Sequence, residues 1–148
     1  QTCALPIFYS NCHTSLKSRL SQHHMMSNEI VFSYQIGSEY APDDPIGHET
    51  VRLDLNGQLF YERQQRGQVW RKVAQLEGSE QDRLNRAIAE AKAVLVPQHP
   101  LPPGATLVQI GFSEQQVLLD YFEAKKLHGY KRIIQFMDDQ LPTFRENS

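Results

Sequence analysis

The chain has 148 residues, of which 40% are hydrophobic and 22% are charged, and its formal net charge at pH 7 is −2. This length and composition are typical of one globular domain with its own core. The slightly acidic balance argues against a general affinity for nucleic acid, which requires concentrated positive charge, and no apolar run approaches the ~18 residues of a membrane-spanning helix.

The first 24 residues are predicted to be a disordered, non-native leader. Gln1–Ile7 reads as the in-frame translation of a common DNA-sequencing adapter, which places the native start at Met25 or Met26. The alternative is a mitochondrial transit peptide, since residues 1–24 contain Ser, Lys and Arg but no Asp or Glu. Both cysteines lie in this segment, so the rest of the chain has no thiol and is compatible with a reducing cytoplasm.

Residues 25–142 are predicted to form a single α+β domain that begins with four strands. Apolar and polar residues alternate over Ile30–Ile36, which predicts a half-buried strand followed by a polar loop with two prolines. A three-stranded meander comes next. Asn56–Gly57 and Arg66–Gly67 supply its two predicted two-residue turns.

Two such turns fix the pairing of the meander. They place Phe60 between Leu53 and Val73 in one apolar row and set Glu62 opposite Arg71. The other face then carries a basic and aromatic group that could grip an anionic partner or stack an RNA base. Its members are Arg52, Tyr61, Arg63, Trp70 and Lys72. The alternative is a row of ordinary cross-strand pairs on a solvated face.

The second half of the domain is predicted to be helix, strand, strand, helix. Ser79 is expected to cap a helix whose apolar stripe extends to Leu95. A proline-rich connection and two strands joined by a four-residue loop follow, with Ile110 paired to Leu119. The last helix is predicted to end at Pro142, with residues 143–148 as a frayed tail.

The predicted element order is therefore β-β-β-β-α-β-β-α. Hairpins dominate this order, which predicts a mostly antiparallel sheet of about six strands. Two amphipathic helices are expected to pack on one face of the sheet.

The acidic loop between the first two strands is the strongest candidate for a metal site. Carboxylates and histidine can together hold a transition metal. The candidate ligands are Glu39, Asp43, Asp44, His48 and Glu49. Their spacing matches no calcium-loop motif, which favours a solvated connection between strands.

From Leu76 onward the pattern resembles the emfourin family, small bacterial protein inhibitors of thermolysin-like protealysins. The resemblance rests on a short helix from Ser79, a proline-bearing linker, a strand pair at Leu107–Ile110 and Leu118–Tyr121, and a closing helix from Tyr130. The meander through Trp70 is extra, and Ile36, Gly37 and Ser38 stand where the family has a Gly-Gly pair. The resemblance implies an inhibitory or binding module and transfers no inhibitory residue.

Together these patterns favour a small cytoplasmic protein-binding module that is not an enzyme and has no cofactor. It is expected to act through its sheet face or its hairpin tips, with another protein as its partner. The alternatives are a metal-assisted enzyme that uses Asp43, Asp44, His48 and Glu49, and a binder of anionic ligands or RNA through the basic and aromatic face. The sequence leaves the oligomeric state open.

Overall fold

The computed structural model describes residues 29–37, 47–97 and 100–146. The predicted leader and most of the acidic loop lie outside these ranges. In the described part there are six strands and three helices. The strands are β1 (Ile30–Gly37), β2 (His48–Asp54), β3 (Gln58–Gln65), β4 (Gln68–Gln75), β5 (Leu107–Phe112) and β6 (Gln115–Asp120). The helices are α1 (Gly78–Lys92), α2 (Tyr121–Ala124) and α3 (Tyr130–Glu146).

The described strands form one antiparallel sheet in the order β4-β3-β2-β1-β5-β6. Four of the five neighbouring pairs join strands that are consecutive in the chain, and α1 with its linker carries the chain from the β4 edge across to β5. The predicted α+β class and antiparallel sheet are confirmed. The short helix α2 is an addition to the predicted elements. None of the described helices is long and apolar enough to cross a membrane.

The core lies between the helices and one face of the sheet, which we call the covered face. Phe32 and Tyr34 of β1 point to this face, as do Val51 and Leu53 of β2. They form one buried cluster with the apolar side of the helices. The helical members include Leu84, Ala87, Ala91, Ala124, Ile133, Ile134 and Met137.

The opposite side of the sheet, which we call the open face, is covered by none of the described helices. Its side chains alternate with the buried ones along each strand and are half-buried or exposed. They include Ser33, Gln35, Thr50, Arg52, Phe60, Glu62, Arg71, Val73, Gln109, Gln116 and Leu118.

The β2–β3 hairpin has a three-residue loop, Leu55–Gly57, where two residues were predicted. The Asp54 Oδ1 accepts hydrogen bonds from the backbone N–H groups of Asn56 and Gln58, each at 2.9 Å. Gly57 adopts φ 81°, the left-handed conformation that this turn requires. The pairing of β2 with β3 is consequently shifted by one residue from the prediction, and Leu53 faces Leu59.

The β3–β4 hairpin agrees with its prediction. Arg66 and Gly67 both have positive φ, 51° and 76°, as a two-residue type I′ turn requires. Phe60 pairs with Val73, and Glu62 pairs with Arg71.

The predicted four-residue loop between β5 and β6 is wrong, because Ser113 and Glu114 alone form the turn. Ile110 therefore pairs with Val117, two residues from the predicted partner Leu119. A shift of two keeps every side chain on its predicted face, so the apolar pattern could not detect it.

The helix ends also differ from the prediction. Glu77, rather than Ser79, occupies the N-cap of α1, and no side chain caps this end. The helix stops at Lys92, which leaves Leu95 outside it and 94% exposed. The predicted end of the last helix at Pro142 is wrong, because α3 continues to Glu146 and buries Phe144. The predicted frayed tail is therefore also wrong for residues 143–146, which belong to the helix.

Replacing Asp54 with Ala should destabilise the fold by about 1–2 kcal/mol, because it leaves two turn N–H groups without their acceptor. Asp54→Asn keeps an oxygen in place of Oδ1 and serves as the matched control. Urea unfolding of the wild type and both variants measures the difference. Equal losses in the two variants would show that the acceptor is not what holds the turn.

Candidate functional site

Four of the five predicted binding residues lie together on the covered face of the sheet. Glu49, Arg63 and Trp70 stand side by side in one cross-strand row, and Tyr61 and Lys72 belong to the next row. The β3–β4 pairing that groups Arg63 with Trp70 and Tyr61 with Lys72 was predicted correctly.

The fifth residue, Arg52, lies on the open face between Ser33 and Phe60. The prediction that all five residues share one face is therefore wrong. The one-residue shift at the β2–β3 hairpin is the physical reason, since successive residues of a strand point to opposite faces. Tyr61 is only 1% exposed, so its ring belongs to the core and is not a surface platform.

The Glu49 carboxylate is the polar centre of this region. Its side chain is almost completely buried, and the residue is 8% exposed. The Tyr61 hydroxyl donates to Oε2 at 2.8 Å, and the Arg145 Nε donates to the same oxygen at 2.8 Å. The Arg145 Nη2 donates to Oε1, which makes the ion pair bidentate. A buried carboxylate needs partners of this kind to offset its lost hydration.

These contacts shift the ionisation of both partners. Burial opposes the charged form of Glu49, but the hydrogen bonds from Arg145 and Tyr61 outweigh it and hold its pKa below the ordinary value. Burial, together with the hydrogen bond to the Glu49 carboxylate, raises the pKa of Tyr61 well above its usual range. Glu49 is therefore ionised and Tyr61 neutral at pH 7, which suits a fixed structural contact.

The last turn of α3 closes over the same carboxylate. The Phe144 ring stacks on the Tyr61 ring with centroids 4.9 Å apart and planes inclined by 7°. The Lys72 Nζ donates to the Phe144 carbonyl at 2.9 Å. These contacts offset the helix-breaking effect of Pro142, which removes a backbone donor. We call Glu49, Tyr61, Phe144 and Arg145 the Glu49 clamp.

Arg63 and Trp70 border the clamp at the rim of the sheet. The Arg63 Cζ lies 5.7 Å from the centroid of the Trp70 ring, within cation–π range, as predicted from their pairing. The Arg63 Nη2 also donates to Gln65 Oε1 at 2.9 Å. The predicted basic and aromatic group is thus engaged mainly in internal contacts that join β2, β3, β4 and α3.

Two of the five predicted metal ligands, His48 and Glu49, cannot bind the same ion. His48 and Glu49 are consecutive residues of β2, so their side chains point to opposite faces and cannot share an ion. The Glu49 oxygens are also already engaged by Tyr61 and Arg145. Glu39, Asp43 and Asp44 lie outside the described residues. No group of three His, Cys, Asp or Glu side chains that could hold a metal ion occurs within residues 29–37, 47–97 and 100–146.

A groove of about 680 Å³, with apolar side chains on both walls, lies between the proline-rich linker and β6. Val94, Leu95 and Leu101 form the linker side, and Val117 and Leu118 belong to the strand side. The charged residues of its lining are Lys92, Asp120 and Glu123. Because β6 is an edge strand, this groove runs beside a row of backbone groups that pair with no strand among the described residues.

Sequence patterns gave no signal for Arg145 or Phe144, which lay in the predicted tail. Arg145 and Glu49 are 96 residues apart, and only the folded chain brings them together. A scan against protein-family models and a search of curated proteins both give no match to this chain.

Tyr61→Phe should lower the free energy of unfolding by about 1.5–3 kcal/mol, because it removes a hydrogen bond to a buried charge. Tyr34→Phe is the matched control. The Tyr34 hydroxyl is equally buried but has no hydrogen-bond partner among the described residues, so its removal should be neutral or slightly stabilising. Chemical denaturation compares the two, and a larger loss in Tyr34→Phe would contradict the assignment of Glu49 as the polar centre.

The clamp should also make the free energy of unfolding depend on pH in the acidic range. The pKa of Glu49 is lower in the folded chain than its ordinary value of 4.5, so its stabilisation is complete above pH 4.5 and is lost as the pH falls through the folded value. The stability gap between the wild type and Glu49→Gln should therefore be constant near neutrality and narrow below pH 4.5. Thermal unfolding at a series of pH values measures this gap. A stability gap that widens as the pH falls would contradict this prediction.

Proposed function

We propose that the chain is a small, non-enzymatic protein-binding module that acts through the open face of its sheet and the edges of that face. The observation behind this proposal is the lack of any described helix on one whole side of the six-stranded sheet. Apolar side chains are exposed there, among them Val73 at 61% and Leu118 at 43%. Exposed apolar contacts rimmed by polar groups are typical of protein interaction sites.

The chemistry of the open face supports the same proposal. Most of its polar side chains are neutral amides and hydroxyls, among them Gln35, Thr50 and Gln109. Two of its charged side chains neutralise each other, since the Arg71 Nε donates to Glu62 Oε2 at 2.9 Å. The centre of an interface is typically depleted in charge and enriched in aromatic groups. The open face fits this composition, since it has few unpaired charges and carries the half-buried Phe60 and the exposed Val73.

The alternatives receive less support. The anionic-ligand alternative required five residues on one face, and Arg52 lies apart from the other four. The metal-assisted alternative is reduced to Glu39, Asp43 and Asp44. The resemblance to emfourin remains a prediction, and it favours a protease as the partner of an inhibitory module.

The double variant Phe60→Gln/Val73→Gln tests the proposal. It should weaken binding to the natural partner by about tenfold, because two neighbouring apolar contacts are lost from the centre of the face. Leu55→Gln is the control, since it removes an exposed leucine from the β2–β3 turn and leaves the face intact. The partner is first captured from an extract of the source organism on immobilised wild-type protein, and affinities are then measured by calorimetry.

Circular dichroism should show that both variants keep the wild-type fold. Unchanged affinity in the double variant would exclude this part of the open face as the binding site.

A further inference from the structure

We infer that β6 is a strand-addition site, where an extended segment of a partner protein lies in the groove beside the linker and pairs antiparallel with the free edge. This inference rests on the proposed function and names the partner's binding segment. The segment would carry apolar residues along its length, a basic residue at its start and an acidic residue at its end.

The phase of the β5–β6 ladder shows which backbone groups are available. Residues of an antiparallel strand alternately direct both their N–H and C=O groups to one neighbour and then away from it. Tyr121 N donates to Thr106 O at 2.9 Å, so Tyr121 and Thr106 form a hydrogen-bonded pair. Every second residue of β6 counted back from Tyr121 is then hydrogen-bonded to β5 in the same way. The backbone groups of Gln116, Leu118 and Asp120 therefore point to the free edge. No backbone hydrogen bond from the described residues reaches them.

The groove supplies apolar contact along the same edge. Leu118, which is 43% exposed, stands at the middle of β6 on the open face. Across the groove, Leu95 is 94% exposed and Leu101 is 38% exposed. An added strand presents side chains alternately to the two sides, so it can cover Leu118 on one side and approach the linker leucines on the other. The volume of the groove, about 680 Å³, lies within the range of ligand-binding clefts.

Charge sets the direction of the segment. The Lys92 Nζ lies 5.7 Å from the centroid of the Phe112 ring, and Phe112 pairs with Gln115, so Lys92 marks the start of β6. Asp120 and Glu123 mark its end. An antiparallel segment begins at the acidic end and finishes beside Lys92. A basic first residue and an acidic last residue therefore match both ends.

The other edge of the sheet lacks these features. β4 carries Arg71 and Lys72 at its centre, and charged residues in the middle of an edge strand oppose the addition of another strand. The groove lined by apolar linker residues lies beside β6, at the opposite edge of the sheet from β4.

Two acetylated and amidated peptides of the same composition, KVTVIVE and EVTVIVK, test the inference when labelled with fluorescein. Fluorescence anisotropy should show saturable binding of KVTVIVE to the full chain, and binding of EVTVIVK that is about threefold weaker. The absence of saturable binding for both peptides would overturn the inference. Tighter binding of EVTVIVK would overturn the antiparallel direction.

Two proline variants separate edge pairing from nonspecific adhesion. Leu118→Pro removes an edge-facing N–H without removing a bond to β5, a position at which an edge strand tolerates proline. It should weaken KVTVIVE binding by about fivefold. Val69→Pro makes the same change on the free edge of β4, leaves Phe60 and Val73 of the open face in place, and should leave binding unchanged. Equal affinities of KVTVIVE for the wild type and both variants, or equal losses in both, would overturn the inference.

A charge exchange supplies the last control. Lys92→Glu should weaken KVTVIVE binding, and the peptide KVTVIVK should restore it, if Lys92 faces the end of the segment. No restoration would contradict the assigned direction.

Results with the natural partner distinguish the two proposals. Loss of binding on Phe60→Gln/Val73→Gln but full binding by Leu118→Pro would overturn the β6 inference and leave the proposed function standing. Full binding by both would overturn both.

Discussion

The two hydrogen bonds that Asp54 accepts from Asn56 and Gln58 decide which side chains of the meander face the helices. They hold a three-residue loop, and this loop sets the pairing of β2 with β3. Side chains alternate with a period of two, so a shift of one residue would exchange the two faces. With the observed register, Glu49 and Tyr61 point inward together and Phe60 points outward. The Glu49 clamp and the open face both depend on this turn.

The sequence predicted the type and order of the main elements because apolar residues recur at strand or helix spacing. It also predicted the β3–β4 pairing, since Arg66 and Gly67 favour one turn type. It failed where a side chain overrides the local pattern. Asn56 and Gly57 indicate a two-residue turn, but the Asp54 carboxylate stabilises a longer one. Pro142 indicates a helix end, but the stacking of Phe144 and the ion pair of Arg145 carry the helix past it. These contacts span too much sequence for periodicity to reveal them.

The candidate site was predicted in part for the same reasons. Arg63, Trp70 and Lys72 were grouped correctly by their strand pairing, whereas Arg52 was assigned to the wrong face. Most of this basic and aromatic group makes internal contacts. Tyr61 donates to Glu49, Lys72 donates to the Phe144 carbonyl, and Arg63 lies over the Trp70 ring. In the proposed function, the surfaces that contact a partner are the open face and the edge of β6. Recognition through such surfaces would rely mainly on shape, amide hydrogen bonds and backbone pairing, with charge setting the direction of the bound segment.

The Glu49–Arg145 ion pair also has a consequence for the kinetics of folding. It joins residues 96 apart, so its formation closes a loop that contains most of the described domain. The entropy cost of such a closure is high until the intervening strands and helices are already in place. The pair therefore belongs with the contacts expected to form after the main folding barrier. Interactions absent from the transition state slow unfolding without accelerating folding. The Glu49 clamp is therefore expected to lower the unfolding rate of the domain and to leave its folding rate unchanged.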